Sequence, residues 1–170
     1  MPMALPRVLR NYQMFIDGQG FAGRVDAVTM PALELVTEEH RAGGMDVPVD
    51  LDMGMNPIRF QLTMAEHIEA VYRSFGVLSA PPISFVLRSG VQAQGGPVEP
   101  VTMTCIGRFR SITPGESTLA TKNGHTAEAT CNYYRLDING STVVEIDVVN
   151  MKRLIDGVDQ LAEQRGAIGL

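Results

Sequence analysis

Apolar and polar residues alternate with a period of two along most of this chain, the pattern of strands that bury one face. Tyr12, Met14 and Ile16 stand opposite Gln13 and Phe15, and Asp17-Gly18-Gln19-Gly20 supplies the positive backbone angles of a tight hairpin turn. A return strand is expected from Phe21 to about Met30, with Leu33-Glu34-Leu35 resuming the alternation beyond Pro31. Ile58, Phe60, Leu62 and Met64 alternate with Arg59, Gln61 and Thr63; Ile83, Phe85 and Leu87 follow, and Val98 to Ile112 reads as one long strand. Thr126 to Ile138 and Thr142 to Val149 are joined at Asn139-Gly140, a further hairpin cue, and Lys122-Asn123-Gly124 carries the same cue.

Two stretches have helical spacing instead. Ile68, Val71, Tyr72 and Phe75 recur every three or four residues, Thr63-x-x-Glu66 fits a capping box, and Gly76 sits where a helix ends; this predicts a helix over about 65–75. Met151, Leu154, Ile155, Val158, Leu161 and Ala162 predict a second helix near the C-terminus. The sum is a mainly β (α+β) protein, an antiparallel β-barrel or sandwich with one flanking helix and a possible C-terminal one. Its 170 residues are expected to form one domain, with 1–10 as an N-terminal arm and 150–170 as a C-terminal segment.

Residues 38–56 stand apart. Gly43-Gly44 opens a loop, and after it Val47, Val49, Leu51 and Met53 alternate with Pro48, Asp50 and Asp52. Pro48 cannot donate to a ladder, so this strand begins there or lies at an edge. An apolar edge of this length is a liability for a lone molecule, and a second copy of the chain would cover it.

Charge and composition narrow the function. A formal charge of −5 leaves no basic excess for gripping phosphates. No run approaches the roughly 18 apolar residues of a membrane span, and no signal peptide is visible, so synthesis in the cytoplasm and no membrane anchor are expected. Cys105 and Cys131 lie in strand-like runs and read as small buried hydrophobes, with a disulfide left open. His40, His67 and His125 have no partner at metal-ligand spacing. Gly18-x-Gly20-x-x-Gly23 matches a dinucleotide pattern but sits in a hairpin with no helix behind it. No catalytic, metal or cofactor site is expected. In the first third, Asp17, Asp26, Glu34, Glu38, Glu39, Asp46, Asp50 and Asp52 outnumber Arg7, Arg10, Arg24 and Arg41. They read either as a solvated acidic face or as the lining of a passage for a polyanion, which like charge keeps from sticking.

Several motifs together resemble the major tail tube proteins of contractile-tailed phages and R-type pyocins. They are Glu39-x-Arg41-Ala42-Gly43-Gly44-Met45-Asp46-x-Pro48-Val49-x-Leu51-Asp52-Met53-Gly54, Leu9-x-Asn11-x-x-x-Phe15-Ile16-Asp17-Gly18, Asn132-Tyr133-Tyr134-Arg135-Leu136, Glu145-Ile146-Asp147-x-x-Asn150 and Gly157-Val158-Asp159-Gln160-Leu161-Ala162. Thr113 replaces the acidic residue of the family's Asp-Pro-Gly turn, and residues 76–100 match least. The resemblance implies hexameric rings stacked into a hollow tube, with an inner wall of strands from all subunits and the 38–56 loop reaching to neighbours. It implies a virion tail assembled in a bacterial host, from a phage, a prophage or a pyocin-like particle. The implied partners are further copies of the chain, a sheath protein, a tape measure protein, a baseplate initiator, a tail terminator, and DNA passing without specific binding. By that match the subunit interface includes Arg41, Gly43, Gly44, Met45, Pro48, Leu51 and Met53, extended to Gly157, Val158, Asp159 and Leu161. Asp26, Glu34, Asp50 and Asp52 are the candidate lumen residues. The alternative is a soluble ring that carries an effector in a secretion or injection system.

Overall fold

The computed structural model describes residues 5–170. The strands are β1 (Val8–Ile16), β2 (Gln19–Gly20), β3 (Val25–Thr29), β4 (Leu35–His40), β5 (Val49–Met55), β6 (Ile58–Met64), β7 (Ile83–Gln92), β8 (Val98–Pro114), β9 (His125–Ile138), β10 (Ser141–Asp147), β11 (Lys152–Ile155) and β12 (Val158–Asp159). Two short helices, α1 (Glu69–Ser74) and α2 (Ala162–Ile168), complete it. All pairing is antiparallel.

Ten strands form one sheet in the order β12-β11-β10-β9-β8-β7-β1-β2, with β3 and β6 branching from β9. The branch point is Asn132. Residues 125–131 of β9 pair with β6, whereas residues 133–138 pair with β10, and β8 runs along the other edge of β9 throughout. The Asn132 carbonyl accepts from Val148 N at 2.9 Å where the two partners part. The fork lets one sheet fold over itself and seat β6 opposite β7. Phe60 of β6 meets Phe85 of β7 edge-on at 4.9 Å, and Phe85 meets Phe109 of β8 at 5.1 Å. Met14, Leu62, Met64, Met103, Ala127 and Tyr134 fill the space around them. The barrel is not closed. Among the described residues no ladder joins β1 to β3; Tyr12 Oη donates to Val25 O at 3.1 Å across that seam.

Cys105 and Cys131 are both buried free thiols of this core. Cys131, hydrogen-bonded beside Cys105, and then burial push the Cys105 thiol up.

The alternation of residues 58–64 is observed as expected, with Ile58, Phe60, Leu62 and Met64 inward. Asp17-Gly18 and Asn139-Gly140 form two-residue turns with both backbone φ values positive. Other expectations are corrected. The N-terminal hairpin stops after two pairs; β1 instead lies along β7, and the chain turns at Gly23 into β3. Of the expected 1–10 arm, residues 1–4 lie outside the described residues and 8–10 belong to β1. Lys122-Asn123-Gly124 does not make a tight hairpin but ends the loop 115–124.

Helix α1 is shorter than expected. Thr63 is held in β6 between Ala27 and Thr126, Glu66 pairs with Arg24, and the helix starts at Glu69 with no side-chain cap. The expected C-terminal helix over 151–162 is mostly a hairpin, β11 and β12, turning at Asp156-Gly157; only α2 follows it.

Candidate assembly surface

Among the described residues, strands β4 and β5 pair only with each other and form a ribbon outside the main sheet. Glu39 faces Asp50 and Thr37 faces Asp52, which puts these acids on one face. Glu38 faces Leu51 and His40 faces Val49, so the other face carries Val36, Val49, Leu51 and Met53 together with Glu38 and His40. Both faces are exposed: Leu51 is 45% accessible and Met53 58%, far from the values of a core strand. The period-two pattern is thus present as a strand, and among the described residues nothing buries its apolar side.

The ribbon is fixed at its base. Asn56 N donates to Glu34 O at 3.0 Å, and Asn56 Nδ2 to Glu34 Oε2 at 3.2 Å. Asp52 accepts from Gly54 N at 2.7 Å and from Arg153 Nη2 at 3.2 Å, and these bonds hold its carboxyl below the usual carboxylate range. At the tip, Met45 N donates to Ala42 O at 3.1 Å and Arg41 Nε to Met45 O at 3.3 Å, closing the turn around Gly43 and Gly44. Strand β5 begins one residue after Pro48, where a missing N–H costs nothing.

The second group of expected interface residues lies on the β11–β12 hairpin. Gly157 is in its turn and Val158 is exposed. Asp159 accepts from Arg165 and from Leu161 N at 3.1 Å, and is held down to about 2, chiefly by the Arg165 guanidinium. Its Oδ1 also accepts from Arg153 N at 3.4 Å. Arg153 thus joins the ribbon base to the hairpin. Sequence reasoning missed it, because its stretch had helical spacing and a lone arginine there reads as a solvated charge.

Between ribbon base and β10–β11 lies a mainly apolar groove of about 450 Å³, with Met55, Ile146, Val148, Met151, Leu161 and Arg153 among its walls. Of the candidate lumen residues, one stands apart and three lie along the ribbon. Asp26 on β3 pairs with Lys122 at 2.7 Å, Glu34 and Asp52 are tied at the ribbon base, and Asp50 lies on the acidic ribbon face.

A further face was not anticipated. The outward side of the broad sheet runs Gln13–Arg88–Thr102–Asp137–Thr142 in one row and Phe15–Val86–Thr104–Arg135–Glu145 in the next. Its charges are largely spoken for: Arg135 pairs with Asp137 at 2.9 Å, and the Arg88 guanidinium lies 5.3 Å from the Phe15 ring centre. Among the described residues no three metal-ligating side chains cluster, and no helix is long and apolar enough to cross a membrane.

The architecture is thus an antiparallel β-domain with a projecting, two-faced ribbon. The chain belongs to the family described as phage tail tube protein FII, which matches residues 6–169. It is 32% identical to the tail tube protein of Escherichia phage P2, over 99% of this chain and all of that one. It is 28% identical to the major tail tube protein of Serratia phage KSP20, with 91% of each chain covered. Its fold is similar to chains in two cryo-EM structures of an extracellular contractile injection system. These are a sheath/tube terminator, with TM-score 0.60 at 8% identity over 78% of this chain and 96% of that one, and a sheath–tube complex, with TM-score 0.59 at 8% identity over 78% and 91%. The chain is a structural tail tube subunit of a phage or phage-like tail, not an enzyme.

Proposed function

We propose that six copies close into a ring and that rings stack into a hollow tube, with the ribbon of each copy laid against a neighbour. The observation that carries this is the ribbon itself. Its apolar side, with Val49, Leu51 and Met53, has no cover among the described residues while its base is firmly tied. Contacts between unlike surfaces close into rings or extend into filaments, and ladders across subunits remove the open margins at β1 and β12.

The uncovered broad-sheet face is the surface we assign to the bore, beside the candidates Asp26, Glu34, Asp50 and Asp52. Its arginines are paired or stacked, so it offers few free cations to a passing phosphate backbone. A tape measure protein and then DNA would occupy that bore, with a sheath outside and an initiator and a terminator at the ends. Negative-stain microscopy of the purified protein tests the reading: tubes or rings of constant diameter are expected. A monomer at every concentration and buffer would overturn it.

A further inference from the structure

The chain contains the dipeptide Asn-Gly twice, at 123–124 and 139–140, and the fold treats the two differently. Asparagine is one of the chemically labile residues, and a following glycine has no side chain to shield its amide nitrogen. That nitrogen can attack Cγ of the asparagine and close a five-membered ring. The two groups have to turn toward each other first, so whatever pins either of them slows the reaction.

Asn123-Gly124 is pinned on both sides. Asn123 Oδ1 accepts from Ser117 Oγ at 3.1 Å and lies 3.2 Å from His67 Nε2. Gly124 O accepts from Gly115 N at 2.9 Å, and a methyl group at Gly124 would lie 2.0 Å from Met64 O, so the backbone has no room to swing. Asn139-Gly140 forms the exposed turn between β9 and β10, with φ +51 and +81. Its tie is through the main chain, Asn139 N donating to Pro100 O at 2.8 Å. Among the described residues the Asn139 side chain has no hydrogen-bond partner and Gly140 N–H has no acceptor, and a methyl group at Gly140 would meet nothing within 4 Å.

We propose that Asn139 is a site of spontaneous covalent modification, deamidating through a cyclic imide, and that the fold protects Asn123 from the same fate. Gly140 N loses its proton to hydroxide and attacks Asn139 Cγ. The bond from Cγ to the side-chain nitrogen breaks, and that nitrogen leaves with the proton as ammonia. Water then opens the ring. Attack at the former side-chain carbonyl gives aspartate, and attack at the main-chain carbonyl gives isoaspartate, whose backbone runs through one extra methylene. Either product adds a negative charge two residues from Asp137, at the end of the broad sheet. Isoaspartate also lengthens a two-residue turn that depends on its two positive φ values, so the pair Ile138–Ser141 beside it opens.

The test follows both asparagines in one sample. The full chain is held unassembled at pH 8 and 37 °C, and aliquots are cut with trypsin. Cleavage after Lys122, Arg135 and Lys152 puts Asn123 and Asn139 on different peptides, and fragmentation in the mass spectrometer assigns each conversion to its position. In the folded chain Asn139 should convert at least about tenfold faster than Asn123, a modest difference in activation barrier. An isoaspartyl methyltransferase should label the 136–152 peptide. In concentrated urea the two rates should converge, because the unfolded chain pins neither residue. Equal rates in the folded chain, or faster conversion at Asn123, overturn the proposal. A difference that persists undiminished in urea overturns it as well, since the protection would then come from neighbouring sequence and not from the fold. N139A should abolish the label on 136–152; a label that remains would place the reaction elsewhere in that peptide.

Discussion

His125 lies parallel to His67, with ring centres 5.7 Å apart and planes 3° from coincident. His67 is held by Tyr72 Oη on α1 at 2.7 Å and by Asn123 Oδ1 of the loop 115–124 at 3.2 Å. His125 is 2% exposed, and among the described residues neither of its ring nitrogens has a hydrogen-bond partner. Burial, and then the charge of His67, push His125 below the ordinary histidine range. In the unfolded chain it takes up a proton near pH 6.5, while the folded chain resists until lower pH. Stability should therefore fall as pH drops below about 6.5. Thermal unfolding between pH 7.5 and 5 checks this: H125F should show a shallower decline, and an unchanged slope would remove His125 from the account.

At the alkaline end the sign reverses. Desolvation chiefly pushes Tyr134 up to about 12, and Cys105 is also raised. Both stay neutral in the folded core at pH values where the unfolded chain ionises them, at roughly 8.5 and 10. Stability should thus decline from about pH 8.5 upward. Urea midpoints at pH 8 and pH 10.5 measure it, and C105A should lose less across that interval than the parent.

Charging the apolar ribbon face separates folding from assembly. Leu51 and Met53 touch no core, so L51D and M53D should change monomer stability by less than about 0.5 kcal/mol. Polymerisation should fail in both. Gly44 has φ +87, which proline cannot adopt, so G44P should reshape the tip with the same separation of effects. Sedimentation and calorimetry on one preparation read both quantities; normal polymerisation would displace the interface from this ribbon.

Gly107 sits where β8 slips register against β9. A methyl group there would lie 2.0 Å from Thr130 O, a backbone atom with no room to retreat. G107A should cost about 3 kcal/mol by denaturant unfolding. A near-neutral result would mean that the bulge relaxes freely.

Much of this was legible where a strand's two faces differ in polarity. β6, β8 and β9 lie close to where alternation put them, and along β5 the apolar Val49, Leu51 and Met53 part from Asp50 and Asp52 as the sequence suggested, although Glu38 and His40 of β4 share the apolar side. The failures have physical causes. Met151, Leu154, Ile155 and Val158 fit a helix, but the same spacing arises when two short strands are broken by a two-residue turn. Asp156-Gly157 carried the turn cue that also stood at Asp17-Gly18. The capping box at Thr63 lost because the ladder to β3 and β9 already held that backbone. Arg153 was invisible, since its importance comes from Asp52, 101 residues earlier in the chain.

The tethered but naked ribbon has a practical corollary. Arg41 stands at its end, exposed and two residues before Gly43-Gly44, which is an inviting cut site for a trypsin-like protease. Each freshly made copy would be nicked there, and a copy locked among its sisters would be spared, so digestion at one peptide bond would report how far construction of the tail has gone.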